Sequence, residues 1–265
     1  MKRVFLTGAS SGIGLATAQA LLEHGDTVWG TARDAGRLIK HERLHPVSLD
    51  LKNNENIEQA FAAALSEAGH FDVVINNAGS GHFGPAELLS ADEVTEQFQV
   101  VFFAHIRLMQ LALAAMRRHG SGMVINVTSL ASLLPVPFMG AYNAAKSAMV
   151  AFTLSLQIEL AHKDIHVVDL QPADIRTNFN DVVTKNRDEG YEKRVAKTWS
   201  AVDKNMKAAP GPETVARTIV KLIDQKNPPM RVVVGDTFQA KIAPFIFRFL
   251  PHRTRVWGLK MYYGI

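Results

Sequence analysis

Short runs of apolar residues recur along the chain and predict β-strands. The early runs are continuously apolar and do not alternate with polar positions, which is typical of parallel strands covered by helices on both faces. The runs lie at residues 4–6, 27–29, 47–49, 73–75, 123–127, 165–170 and 231–234. We therefore predict a parallel sheet of about seven strands.

Helical stretches separate these runs. A regular β–α alternation favours right-handed crossovers and a doubly wound α/β sheet of the Rossmann type. No Pro-, Gly- or Ser-rich linker interrupts the chain, so we expect one domain over residues 1–265. The stretch at residues 91–119 is apolar over much of its circumference, which predicts packing on the sheet and against another subunit of a homodimer or homotetramer.

Composition is that of a soluble globular protein, with 47% hydrophobic and 20% charged residues. The chain has no cysteine, which excludes disulfides and thiolate chemistry. A net charge of +4, spread over scattered basic residues, gives little support for a nucleic-acid partner. Met1 leads directly into an apolar run without a secretory leader, and no apolar stretch looks long enough to span a bilayer, so we expect a cytoplasmic protein.

The last stretch, residues 237–265, differs from the rest because it interleaves large apolar residues with cations. The cations are Lys241, Arg248, Arg253, Arg255 and Lys260. This pattern suits a membrane-surface contact or a partner interface. A cytoplasmic protein with a peripheral membrane contact is therefore an alternative to a purely soluble one.

A glycine-rich loop follows the first strand and precedes a good helix, at residues 7–14 (TGASSGIG). Glycines let a backbone turn tightly and approach a pyrophosphate, while the helix N-terminus offers free N–H groups. The alternative is that these glycines only allow the tight turn between strand and helix and bind no cofactor. The cofactor contacts predicted in this loop are Gly8, Ser10, Ser11, Gly12, Ile13 and Gly14.

The second strand ends without the acidic residue that usually binds the ribose 2′-hydroxyl of NAD(H). Thr31 and Ala32 leave room there, and Arg33 can pair with a 2′-phosphate through its planar guanidinium. We therefore predict NADP(H) as the preferred cofactor, with NAD(H) as the alternative. In the competing interpretation, Arg33 is a solvated loop charge and Asp34 caps the short helix that follows.

Tyr142 and Lys146 are four residues apart, which places them on one face of a helix. A phenol has a reference pKa of about 10, so proton exchange near neutrality asks for a downward shift of ~3 units. A lysine ammonium and an oxidised nicotinamide ring would favour the phenolate. Tyr142 could then exchange a proton with a substrate oxygen that Ser129 holds by a hydrogen bond.

Two further motifs accompany this pair. Asn76-Asn77-Ala78-Gly79 ends the fourth strand, and Ser129 ends the fifth, thirteen positions before Tyr142. Together with the glycine loop, these motifs over residues 7–177 resemble the short-chain dehydrogenase/reductase family. The resemblance implies hydride transfer with a nicotinamide cofactor and catalytic roles for Ser129, Tyr142 and Lys146. It also implies cofactor contacts at Asp50, Leu51, Asn77, Ala78, Gly79, Tyr142, Lys146, Pro172, Ile175 and Thr177.

The chain departs from the family pattern at two positions. Val101 stands where the family has an asparagine thought to hold a water beside the lysine; His105, one turn later, is a possible substitute or a packed or surface histidine. Ala173 replaces the glycine of the family's P-G-x-x-x-T segment and fits unless that position needs a positive φ. We expect a weakened proton relay with the three catalytic side chains intact.

The predicted function is an NADP(H)-dependent oxidoreductase that interconverts a ketone or aldehyde and an alcohol on a hydrophobic small molecule. Residues 178–209 form a polar helical stretch that the family uses as a substrate lid. The lining predicted for the substrate pocket is apolar: Phe83, Leu130, Leu133, Pro135, Val136, Phe138, Met139 and Phe179. The alternative is a cofactor-binding regulatory or scaffold protein with impaired catalysis, motivated by Val101 and Ala173.

One tempting motif is set aside. Residues 41–45 spell the H-E-x-x-H of zinc peptidases, in which one helix presents both histidines to the metal. Pro46 follows at once and the next residues form a predicted strand, so the helix has no room. We predict no metal site.

Overall fold

The main sheet contains the seven predicted strands, all parallel. The computed structural model describes residues 1–160 and 164–265. The sheet strands are β1 (Arg3–Leu6), β2 (Thr27–Ala32), β3 (Leu44–Ser48), β4 (Val73–Asn76), β6 (Gly122–Val127), β7 (Ile165–Pro172) and β9 (Arg231–Val234). A separate pair consists of β5 (Gly81–Phe83) and β8 (Val183–Lys185). The sheet order is β3-β2-β1-β4-β6-β7-β9, which confirms the doubly wound Rossmann fold.

Helices cover both faces of this sheet. They are α1 (Gly12–His24), α2 (Asn54–Ala68), α3 (Ala91–Phe98), α4 (Ala104–His119), α5 (Gly140–Glu159), α6 (Phe179–Val182), α7 (Glu192–Ala208), α8 (Glu213–Ile223), α9 (Ala243–Phe249) and α10 (His252–Tyr263). Val4 and Leu6 of β1 pack with α1 and α8 in one core, and Phe5 between them packs with α2 and α4 in the other. This alternation of strand side chains explains the continuously apolar runs.

A single turn of π-helix, Gln99–Phe103, joins α3 to α4. The combined helix Ala91–His119 is long and apolar enough to cross a membrane by length and composition, contrary to the sequence expectation. Burial explains only part of that apolarity: Ala104, Leu108 and Met109 lie in the core beside the sheet, but 39% of the apolar window is buried. The predicted packing on the sheet is confirmed, and the predicted subunit contact stays a prediction.

One segment differs from the helical stretch that the sequence predicts. The stretch at residues 178–209 is helical only in α6 and α7, since β8 between them pairs with β5. That pairing joins residues about a hundred positions apart, so no local sequence pattern predicts it.

The H-E-x-x-H segment is not helical. Residues 41–45 form a turn and the start of β3, and Pro46 lies on this edge strand, where a missing N–H is tolerated. The two histidines there share no helix face.

Candidate active site

The glycine loop forms an open cradle at the N-terminus of α1. Gly8 and Gly12 have φ angles of +71° and +53°, a region that side chains disfavour. A Cβ on Gly14 would lie 2.0 Å from the Gly8 carbonyl oxygen, so only glycine fits there. Ser11 caps α1 without a side-chain hydrogen bond, which leaves the first-turn N–H groups free. These features fit a bound pyrophosphate, and all six predicted loop residues line the same cleft.

Asn77 braces this loop from the end of β4. Its side-chain amide donates to the Thr7 carbonyl at 2.9 Å, and its backbone N–H donates to the Thr7 hydroxyl at 2.9 Å. The Ala78 N–H donates to the same hydroxyl at 3.0 Å. The second asparagine of the N-N-A-G motif thus holds the phosphate loop in shape, besides lining the cleft with Ala78 and Gly79.

The far end of the cleft lies at the carboxyl ends of β2 and β3. Arg33, Asp50 and Leu51 all line it, as predicted. The Arg33 side chain is exposed and, over residues 1–160 and 164–265, makes no hydrogen bond or salt bridge. Asp34 accepts a hydrogen bond from the Gly36 N–H at 2.9 Å, which confirms that this acid caps the short turn after β2. Asp34 and Arg37 line the cleft beside Arg33, so both signs of charge are present at this end.

Ser129, Tyr142 and Lys146 come together at the other end of the cleft. Ser129 follows β6 and its hydroxyl oxygen accepts from the Ala131 N–H at 3.0 Å, so its hydroxyl hydrogen can be donated to the Tyr142 oxygen or to a substrate oxygen. Tyr142 and Lys146 lie on the first turns of α5, with the lysine Nζ 5.8 Å from the centre of the tyrosine ring. All three side chains line one cavity. Such a trio can hydrogen-bond a substrate oxygen and exchange a proton with it.

Lys146 is buried, with 4% of its surface exposed, and donates from Nζ to the Val127 carbonyl at 2.7 Å. This excludes a solvated amine. Burial lowers the pKa of Lys146 to about 8, while the nearby Asp169 carboxylate works against the decrease. The ammonium therefore lies within reach of titration near physiological pH.

The protein groups around Tyr142 by themselves raise its pKa, whereas the downward shift that the sequence analysis expects also involves the charge of the nicotinamide ring. Burial raises the pKa of Tyr142 to about 12, a hydrogen bond with the Ser129 hydroxyl opposes the rise, and the charge of Asp174 adds to it. Burial dominates because it disfavours the phenolate, and the Lys146 ammonium is turned toward the Val127 carbonyl. In this state the phenol keeps its proton, which suits a proton donor.

The segment after β7 closes the cleft. Pro172, Ile175 and Thr177 line it, as the resemblance implied. Phe138 is the only non-glycine residue with positive φ in the described chain, so Ala173 is unstrained. A Cβ on the neighbouring Gly235 would lie 2.6 Å from that of Ala173, so the glycine at 235 provides the space for the extra methyl group. The replacement of glycine by Ala173 is thereby accommodated.

His105 is buried and not a surface residue. Its Nδ1 lies 3.2 Å from the Val101 carbonyl, and its Nε2 has no hydrogen-bond partner among the described residues. Burial lowers the pKa of His105 to about 3, and the positive charge of Lys146 acts in the same direction. The neutral His105 ring thus lies close enough to Lys146 to feel its charge. Val101, one helical turn before it, has no polar side chain that could act in its place. The part of His105 in a proton relay stays a prediction.

Replacing His105 with Leu is expected to reduce turnover about tenfold if the ring relays protons. The same change removes an unpaired buried nitrogen and should raise the free energy of unfolding by about 1 kcal/mol. Turnover across a pH series and thermal unfolding measure the two effects. An unchanged pH profile would mean that the ring only packs, and an unchanged profile in Val101→Asn would make the missing asparagine irrelevant.

The cofactor cleft and the space around these residues form one continuous cavity with a volume of about 1150 Å³. Of the predicted lining, Leu130, Val136, Met139 and Phe179 face it. Phe83 and Phe138 pack behind the wall, and Leu133 and Pro135 line a smaller neighbouring pocket. The sequence reasoning missed apolar residues from α7 and from the C-terminal helices: Val202, Met206, Phe238, Ile246, Phe247, Leu250 and Leu259.

A polar cluster at the edge of the cavity was also missed. Asp174 accepts from the Gln239 amide at 2.6 Å, and that amide also lies 3.0 Å from the Tyr262 hydroxyl. Burial raises the pKa of Asp174. No sequence motif predicts the cluster, because its members come from the loop after β7 and from the last thirty residues of the chain.

Comparison with known proteins agrees with this geometry. The family model for short chain dehydrogenases matches residues 2–188. The chain belongs to the short-chain dehydrogenase/reductase family. A 3-ketodihydrosphingosine reductase of Bacteroides thetaiotaomicron is 32% identical over 99% of this chain and 98% of its own length. A short-chain dehydrogenase from Streptomyces avermitilis superposes with a TM-score of 0.79 at 30% identity, covering 99% of this chain and 96% of that one.

A third relative is an archaeal alcohol dehydrogenase from Thermococcus sibiricus, solved in complex with 5-hydroxy-NADP. It is 27% identical, with a TM-score of 0.74 over 90% of this chain and 97% of that chain. Membership of the short-chain dehydrogenase/reductase family makes this protein an oxidoreductase acting on CH–OH or carbonyl groups with a nicotinamide cofactor. When bound, such a cofactor would supply or accept the hydride, and the residues that line the cleft would hold it.

Proposed function

We propose that this short-chain dehydrogenase/reductase is an NADP(H)-dependent enzyme that interconverts a ketone or aldehyde and an alcohol on an extended hydrophobic molecule. The observation that carries the proposal is the position of Ser129, Tyr142 and Lys146 in the wall of a large cavity whose remaining lining is mostly apolar. Ser129 holds the substrate oxygen, Tyr142 donates the proton during reduction, and the Lys146 charge favours the phenolate that remains.

The apolar lining supports a hydrophobic substrate. Four separate parts of the chain contribute to it: the loop after β6, α6, α7 and the C-terminal helices. The apolar part of this lining gains binding energy from an extended apolar substrate, while Asn178, Asn180 and Thr184 are among the polar residues that also line the cavity. The Bacteroides relative is named a 3-ketodihydrosphingosine reductase, a name that fits a ketone on an extended chain.

A substrate panel tests the proposal. Purified protein is mixed with NADPH or NADH and with ketones and aldehydes of increasing chain length, and cofactor oxidation is followed by absorbance. We expect kcat/KM to rise with chain length and NADPH to be preferred. Turnover restricted to short polar carbonyls would contradict the substrate class. Tight NADPH binding with no turnover on any carbonyl would favour the regulatory alternative.

Arg33 is expected to decide the cofactor preference. An unpaired guanidinium at the end of β2 can bind a 2′-phosphate, whereas the 2′-hydroxyl of NADH offers it little. Arg33→Ala should weaken NADPH binding about tenfold; the loss is modest because the side chain is exposed to solvent. NADH affinity should stay within about twofold of the wild-type value. Fluorescence titration with both cofactors measures this. Arg117→Ala on α4 is the matched control, and equal losses for both cofactors would refute the role.

A further inference from the structure

An exposed apolar stripe runs along one side of the helical segment Phe238–Phe249. The stripe consists of Phe238, Ile242, Phe245 and Phe249, at intervals of four, three and four residues, which places them on one helical face. Phe245 and Phe249 are 68% and 70% exposed, and their rings contact each other at 5.2 Å between centres. Leaving such large apolar side chains contiguous in water is costly, so this surface calls for a partner.

The next helix extends the exposed apolar surface. Trp257 and Met261 of α10 lie one turn apart and are 63% and 64% exposed. The Arg255 guanidinium donates to the Leu250 and Arg248 carbonyls at 2.7 and 2.9 Å and so holds the turn between α9 and α10. The two helices are thereby tied together at that turn.

The charge on this segment has one sign. From residue 237 to the C-terminus the chain contains five cations and no Asp or Glu. Lys241, Arg248, Arg253 and Lys260 are exposed, and over the described residues none of the four side chains forms a salt bridge. A surface of large apolar groups interspersed with unpaired cations complements anionic headgroups above an apolar layer.

A second copy of the chain is a poorer occupant. A two-fold contact pairs a patch with itself, so the cations of one copy would face those of the other. Like charges brought together at an interface disfavour association. An anionic bilayer presents the opposite charge and accepts the aromatic side chains at the same time.

We propose that residues 237–265 dock the protein on an anionic bilayer surface through this stripe and its flanking cations. The substrate cavity lies directly behind the docking surface, because Phe238 and Ile246 are exposed and also line the cavity. A substrate dissolved in the bilayer then reaches Tyr142 between the C-terminal helices without crossing water. Docking itself is independent of the reaction at the site.

Vesicle flotation tests the proposal with the full-length protein. Vesicles of phosphatidylcholine, with or without phosphatidylserine, are mixed with the wild type and two variants. One variant combines Phe245→Ser, Phe249→Ser and Trp257→Ser; the other combines Lys241→Gln, Arg248→Gln, Arg253→Gln and Lys260→Gln. None of these seven residues lines the cavity. We expect the wild type to float with phosphatidylserine vesicles and each variant to partition at least about tenfold less.

Matched controls remove similar groups elsewhere. Leu154→Ser with Ile158→Ser deletes exposed apolar groups of α5, and Arg117→Gln with Arg118→Gln deletes exposed cations of α4. Both controls should float like the wild type, and NADPH binding should be unchanged in every folded variant. If the serine variant fails to fold, the glutamine variant alone carries the test, since it keeps the apolar stripe.

Three outcomes would overturn docking. The first is a wild type that does not bind phosphatidylserine vesicles. The second is that the serine and glutamine variants float as well as the wild type. The third is that the control variants lose as much vesicle binding as the serine and glutamine variants do. Analytical ultracentrifugation tests the alternative that a second copy of the chain covers this face. If the wild type is a dimer, and the serine variant is a monomer that still binds vesicles, the face is a subunit interface.

Discussion

Tyr142→Phe is expected to lower the rate of carbonyl reduction by about 10³-fold while cofactor affinity changes by less than about twofold. The phenol is the group that can give a proton to the substrate oxygen, and burial, which raises the pKa of Tyr142 to about 12, keeps that proton in place. The ring itself packs against Phe179, with centres 5.6 Å apart, and phenylalanine preserves this contact. The loss should therefore appear in kcat and not in folding.

Single-turnover reduction followed by NADPH absorbance measures the effect, with NADPH fluorescence reporting cofactor binding. Tyr191→Phe is the matched control, because Tyr191 packs against Phe138 and does not line the cavity. The control should keep nearly full activity. If Tyr142→Phe retained more than about a tenth of the wild-type rate, a different group would have to supply the proton.

Lys146→Met is expected to reduce turnover by about 10² to 10³-fold and to make the protein more stable near neutral pH. The folded-state pKa of Lys146 is lowered from 10.5 to about 8 by burial. Between these two values the unfolded chain binds more protons than the folded one, so wild-type stability rises as pH increases from about 8 to about 10.5. Below that window the folded protein carries the full cost of a buried ammonium.

The methionine variant lacks this cost. Its free energy of unfolding should exceed that of the wild type by about 1 to 3 kcal/mol at neutral pH, with the lost hydrogen bond to Val127 reducing the gain. The difference should vanish at high pH, where the wild-type lysine is neutral in both states. Urea denaturation across a pH series measures it. Lys221→Met on the exposed face of α8 is the control and should leave the pH dependence unchanged.

Activity should follow the same group. Since the ammonium favours the phenolate that proton donation leaves behind, wild-type reduction should slow as pH rises through about 8, the pKa of Lys146. Lys146→Met should lack this decrease in its residual activity. A methionine variant that is less stable than the wild type, with a parallel pH dependence, would show that the burial of the ammonium costs nothing.

Much of the fold and the site could be predicted because the signals are local. Seven apolar runs mark the seven sheet strands, since a strand covered on both faces is mostly apolar, although β7 also holds the buried polar residues Asp169 and Gln171. The glycines of the phosphate loop lie within seven residues of one another, and Gly14 is required by a clash inside that same loop. Tyr142 and Lys146 share a helix face by their spacing alone.

Other features depend on contacts between residues distant in the chain. The β5–β8 pair and the C-terminal wall of the cavity each join segments that carry no common motif. Motif spacing also could not show the burial that raises the pKa of Tyr142, because spacing indicates which residues are neighbours but not how much water surrounds them.

The sequence by itself thus determined the candidate side chains for the chemistry and the order of the seven sheet strands along the chain, because backbone geometry and helical periodicity act over a few residues. Only the tertiary structure decided how deeply those side chains are buried, which distant helices enclose the substrate and which apolar face remains exposed. Burial and cavity shape are sums over the whole fold, so no local segment encodes them.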